Sequence, residues 1–199
     1  LRGLGALALV AATSPSAPAQ QLSSARPLPG DDLVQASAGR QEHPDIVAGG
    51  NRYLAVWEDG RNLLNVTVSS KGYTTADDIF GAVLDASGNV LVNFPIATDP
   101  FGQEMPHAAW NGTHWLVVWM SRRTTQFSTT EGIYGTRVTP AGQVLDIPPI
   151  LIEDDPDVDE RLPAVASDGT NWVVVWEDEE YQTLNNSASA AAGFTAHPP

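Results

Sequence analysis

Cysteine is absent from this chain, and lysine occurs once, at Lys71. The first absence excludes disulfides, thiolate metal sites and a cysteine nucleophile, so stability must come from packing and sheet hydrogen bonds. It does not exclude export. The scarcity of lysine leaves 10 basic residues against 24 acidic ones and a formal net charge of -14. Nucleic acids and anionic membrane surfaces both select basic patches, so this composition argues against either as a partner. A sustained 3.6-residue apolar period is also missing, which excludes helical solenoids. No His-x-His or His-Glu-x-x-His spacing, Gly-x-Ser-x-Gly elbow or phosphate-binding glycine loop occurs. The histidines, His43, His107, His114 and His197, share no repeat position.

What the chain does have is one pattern written three times. A proline is followed at a fixed interval by a tryptophan, at Pro44/Trp57, Pro106/Trp119 and Pro163/Trp176. Each interval holds a glycine turn, an aromatic residue and an apolar run. The turns are Gly49-Gly50-Asn51, Asn111-Gly112-Thr113 and Asp168-Gly169-Thr170. The runs are Tyr53 to Trp57, Trp115 to Trp119 and Trp172 to Trp176. Short apolar runs bounded by such turns predict paired strands in tight hairpins. A second half recurs as well: residues 78–84 match 132–138, and turns at Asp85 to Gly88 and Thr139 to Gly142 precede Val90-Leu91 and Val144-Leu145. Each unit is therefore a meander of four antiparallel strands, A to D.

Strand B is apolar on successive residues, which predicts cover on both faces. Face-to-face stacking of four-stranded blades, as in a β-propeller, supplies that cover. The fold class is thus all-β and propeller-like, with about two and a half repeats; an open β-sandwich is the alternative. Propellers typically need 4–8 blades, so a fragment of a longer repeat protein is the favoured reading.

The repeat resembles that of secreted bacterial proteins carrying tandem copies of D-G-T-N-Y-L-V-V-W-x-D-x-R followed by D-I-Y-G-x-R-V-x-x-x-G-x-V-L. Residues 168–178 carry the first part, and Ile133 to Val138 with Gly142, Val144 and Leu145 the second. The resemblance covers residues 41–181. It implies an exported, propeller-like repeat protein and no defined activity.

Six segments follow. Residues 1–19 read as a signal peptide, from Arg2, the apolar stretch Leu4 to Ala12 and the small-x-small site Ala17-Pro18-Ala19. Residues 20–40 are a linker rich in Ser, Ala, Pro and Gly. Blade 1 spans 41–102, blade 2 spans 103–158, half of a third repeat spans 159–181, and a low-complexity tail spans 182–199. The apolar stretch is too short to span a bilayer, so no integral membrane segment is expected in the mature chain. Its expected location is secreted, periplasmic or at the cell surface.

In such a meander the A–B and C–D turns share one end and the B–C and D–A connections the other. Length varies in the B–C connections, which makes that end the expected binding face. It also gathers carboxylates. Glu58, Asp59, Glu177 and Asp178 follow the strand B tryptophans, and Trp110 stands outside the aromatic series; these five are the candidate binding residues. Asp155-x-Asp157-x-Asp159 imitates the start of a calcium loop, making calcium the candidate cofactor, but Glu160 stands where the sharp-turn glycine belongs. The recurrent aromatic pairs suit blade-to-blade packing, since residues spaced by four on a strand point to one face. The chain therefore reads as an exported non-catalytic module that binds a protein or glycan. The alternatives are a fragment of a glycan-active propeller enzyme and a calcium-stabilised structural or adhesin segment.

Overall fold

The computed structural model describes residues 40–61, 77–99, 102–124, 129–155, 158–180 and 192–197. The expected signal peptide, almost all of the linker, and Asp157 lie outside them. Eleven strands and no helix are found among the described residues. They form three antiparallel sheets: β1 (Gln41–Gly49), β2 (Arg52–Asp59), β3 (Asp78–Asp85) and β4 (Val90–Ala97), then β5 (Gln103–Trp110), β6 (Trp115–Thr124), β7 (Thr129–Val138) and β8 (Ile150–Glu153), then β9 (Val158–Ser167), β10 (Trp172–Glu180) and β11 (Ala192–His197). The first two follow the order A-B-C-D, and in the third β10 lies between β9 and β11. The fold is all-β and propeller-like, with two four-stranded antiparallel blades and a third sheet of three strands among the described residues.

The apolar runs explain the stacking. Leu54, Val56, Ile79 and Val83 of blade 1 share one core with Trp115, Val117 and Trp119 of blade 2. From the other face of blade 2, Leu116, Val118, Met120 and Ile133 pack on Val174 and Trp176 of blade 3. The middle sheet is thus covered on both faces, which a two-sheet sandwich does not do. Trp119 is 1% exposed and Trp57 8%, so the recurrent tryptophans are core. Trp172 adds a directed contact, its indole N–H donating to the Ala109 carbonyl of blade 2 at 3.0 Å.

The turns are closed by their own side chains. The Asn111 side-chain oxygen accepts the N–H groups of Thr113 and His114, and Asp168 does the same for Thr170 and Asn171. Gly112 and Gly169 sit there at φ of 99° and 95°, a region that favours glycine. The C–D turns match: Asp85 accepts from Ser87 and Asn89, and Thr139 from Ala141 and Gln143.

Two strands depart from the sequence pattern. In blade 2 the fourth strand starts late. Val144 makes only an isolated bridge to Val138, and pairing resumes at Ile150. The Pro148-Pro149 pair between them has no N–H to give a ladder. Asp146 instead accepts the Arg137 backbone N–H at 2.8 Å and binds its guanidinium at 2.7 and 3.1 Å. In blade 3, β11 comes from the segment read as a low-complexity tail and pairs along β10 from Trp172 to Glu177.

Candidate functional site at the B–C and D–A end

Every first strand is bulged beside its proline. The register shifts between Glu42 and Asp45 in β1 and between Glu104 and His107 in β5, and β9 is irregular opposite Val175 to Glu177. The residue before the proline takes a left-handed conformation each time: His43 (φ 47°), Met105 (φ 56°) and Leu162 (φ 50°). This is unusual for any residue with a side chain and more so before proline. The bulge frees groups that a regular ladder would use. The freed Met105 N–H crosses to blade 1 and donates to Glu58 Oε1 at 2.6 Å. His43 Nδ1 meets the same oxygen at 2.8 Å.

Glu42, His43 and Glu58 form the cluster that this geometry assembles, their ligating atoms all lying within 4.8 Å of one another. Glu58 is buried; Glu42 and His43 are exposed. A buried carboxylate holding one imidazole nitrogen orients the ring, the arrangement that presents a histidine to a ligand or cation. Arg40 borders the cluster, 3.5 Å from Glu42 and paired with buried Asp77. His43 was missed in the sequence because its partner comes from the neighbouring strand and because no other repeat has histidine before its proline. The signal that could have found it is the proline itself, which marks the bulge.

Further carboxylates crowd the same end. Burial pushes the Glu104 carboxyl above its ordinary value; Arg122 opposes that shift, while Glu58, Glu131 and Asp77 add to it. Glu131 accepts from Arg122 and from Arg161, the latter at 2.7 Å. Arg161 also binds Asp159 at 2.9 Å and reaches Glu179. The Arg161–Glu131 pair joins blade 2 to blade 3.

Glu58 and Asp59 prove to be buried rungs of β2, at 2% and 0% exposure, and not loop residues open to a ligand. Burial would raise the Asp59 pKa, but hydrogen bonds from Arg61 and Trp57 outweigh it and hold the carboxyl below its ordinary value. Its oxygens accept from the Trp57 indole at 2.9 Å, from the Arg61 N–H at 3.0 Å and from the Arg61 guanidinium at 2.8 and 2.6 Å. Trp110 lies at the opposite end of its sheet. It is the last residue of β5, pairs with Trp115 across the A–B turn and packs on it at 4.9 Å between ring centroids. It is half-buried there. Glu177 is exposed and Asp178 half-buried, both near the end of β10. Of the calcium-loop residues, Asp155 is exposed, whereas Asp159 is buried, with its oxygens accepting from the Glu131 N–H at 3.2 Å and from Arg161.

No protein-family profile matches the chain. No curated protein matches it either. Among solved structures, similarity is found to an α-L-arabinofuranosidase from Lactobacillus brevis at 10% identity and a TM-score of 0.47, covering 79% of this chain and 52% of that one. An α-L-arabinanase from Penicillium chrysogenum gives 12% identity and 0.42, covering 78% and 44%. An endo-arabinase from Bacteroides thetaiotaomicron gives 10% and 0.37, covering 82% and 78%. The chain spans about half the length of the first two. No helix among the described residues is long and apolar enough to cross a membrane.

Proposed function

We propose that this chain is an exported, non-catalytic repeat module that binds a protein or a glycan through the end of its blades carrying the B–C and D–A connections. The observation that carries this reading is the contrast between the two ends. At the A–B and C–D end, turn side chains cap their own backbones. At the other end, exposed Glu42 and His43 stand beside a buried carboxylate that fixes the ring. The B–C connection there also changes from residues 60–77 in blade 1 to residues 125–128 in blade 2. A scaffold that keeps one end closed and varies the other is built for recognition.

The non-catalytic part is supported by how four of the buried carboxylates are used. Glu58, Asp59, Glu131 and Asp159 all accept from arginine, histidine, indole or backbone donors within the protein. Glycoside cleavage needs two carboxyl groups flanking the scissile bond of a sugar, and these four are turned to donors inside the protein. The deciding experiment screens the purified chain on a glycan array and against extracellular protein fractions, with His43→Ala and Glu42→Ala variants beside it. The expected result is a ligand whose affinity falls about tenfold or more in these variants. Retention of full affinity in both would remove the proposed face. Turnover of any glycoside by the wild-type chain would replace this reading with the glycan-active one.

A further inference from the structure

The three bulges share a backbone but not a set of side chains. The cross-strand pair beside the bulge is Glu42 opposite Glu58 in blade 1, Glu104 opposite Met120 in blade 2 and Arg161 opposite Glu177 in blade 3. The left-handed residue that follows is His43, Met105 or Leu162. Only blade 1 therefore sets a histidine and two carboxylates at this position. Like charges directly opposite each other weaken a sheet, so the Glu42–Glu58 pair is unfavourable unless positive charge lies beside it.

The bulge is what brings the three together. Adjacent residues of a regular strand point to opposite faces, yet Glu42 and His43 both reach Glu58, because a bulge re-aims a side chain. The ligating atoms of the three lie within 4.8 Å of one another, with His43 Nδ1 2.8 Å from Glu58 Oε1. Glu58 is held in place, 2% exposed and accepting the Met105 N–H at 2.6 Å. Charge points the same way. Asp59, Asp77, Glu131 and Asp159 are also buried at this end, and each is paired with an arginine. Among the described residues the one ion-pair partner of Glu58 is His43, and an imidazole is a cation only when protonated. Arg40 stands 3.5 Å from Glu42 but is held by Asp77.

We propose that Glu42, His43 and Glu58 bind a divalent transition-metal ion, zinc in the first instance, at the bulge of blade 1. Zinc takes histidine nitrogen at about 2.0–2.1 Å and carboxylate oxygen at about 2.0–2.2 Å, and three protein ligands leave a position open to water. Calcium takes oxygen ligands and has no use for the imidazole. Exposed Glu42 and His43 can close on the ion by side-chain rotation, while buried Glu58 anchors it. The site shares Glu42 and His43 with the proposed binding face but requires no protein or glycan there.

Blade 2 supplies the control. His43→Met installs the residue that blade 2 carries on its own bulge, Met105, and keeps Glu58 with its backbone hydrogen bond. The untagged full chain, freed of metal with EDTA and moved to chelator-free buffer, is titrated with Zn2+ in competition with a chromogenic chelator. The expected result is one Zn2+ per chain, with affinity about tenfold or more weaker in His43→Met and in Glu42→Gln. His107→Ala should bind as the wild type does. His107 lies 3.4 Å from Asp45, so this variant asks whether a lone histidine–carboxylate pair is enough. Absence of Zn2+ uptake by the wild type would overturn the proposal. So would equal affinity in the wild type and His43→Met, or a loss in His107→Ala as large as that in His43→Met. The titration and the ligand screen fail separately, because Zn2+ is the only ligand offered.

Discussion

The Glu58 side chain of blade 1 accepts the Met105 backbone N–H of blade 2 at 2.6 Å. One buried carboxylate thereby links the second strand of one blade to the bulge in the first strand of the next. Blades 2 and 3 lack the counterpart, since Met120 and Leu162 occupy the equivalent positions. Glu58→Ala is expected to cost about 1–3 kcal/mol in urea unfolding, because it leaves the half-buried Met105 N–H without its acceptor. Glu58→Gln keeps an acceptor oxygen and should cost less. Equal losses in both variants would show that charge, and not the hydrogen bond, is what matters.

Acid should find Asp59. Its folded-state pKa lies below the unfolded value of 3.8 because the Arg61 and Trp57 hydrogen bonds outweigh burial. The stability from this group is therefore present above that unfolded value and lost as pH falls through the folded one. Asp59→Asn should flatten the acid limb of a stability-against-pH curve while lowering the plateau. A variant curve parallel to the wild type below about pH 4 would contradict this.

Gly112 and Gly169 share a turn and a backbone conformation but not a neighbourhood. A Cβ on Gly112 would lie 2.9 Å from the Gly169 carbonyl oxygen, whereas one on Gly169 would meet nothing within 4 Å. Both alanine variants should lose about 1 kcal/mol from the left-handed backbone. Gly112→Ala should lose about 1 kcal/mol more, since its obstacle is backbone and not a flexible side chain. Chemical denaturation of the two single variants measures the difference.

Trp172→Phe removes the indole N–H that bonds Ala109 across the second blade boundary and trims the ring that packs on the core there. The expected loss is about 1–3 kcal/mol, hydrogen bond and lost packing together. Tyr53→Phe, at the corresponding and exposed residue of blade 1, should be close to neutral. Tm differences between the two variants test the contrast.

Much of the scaffold was legible because turn chemistry and apolar runs are local. Asn111-Gly112, Asp168-Gly169 and the valine-rich runs define hairpins within a few residues of each other, and their recurrence gives the blade order. The bulges were not legible. Proline biases its predecessor toward extended backbone, so His43, Met105 and Leu162 in left-handed conformations contradict the local rule. The candidate site depends on those bulges, which is why the sequence pattern points to Glu58 and Asp59 after the tryptophan but not to His43 across the strand. Trp110, outside the repeated series, packs on Trp115 across the A–B turn, a contact that the repeat pattern does not contain. The late start of β8 was foreshadowed by Pro148-Pro149, whereas nothing in the alanine-rich run before Ala192 announces β11.

The interruption after Val144 has a consequence for how this protein meets other chains. Strand edges recruit strangers through unoccupied backbone donors and acceptors. On the outer rim of β7 the Arg137 N–H is held by Asp146, and the arginine head clamps the same carboxylate. An invading strand would have to evict an ion pair before forming its first rung there. The broken fourth strand therefore acts as a guard rail against amyloid-like accretion along that rim.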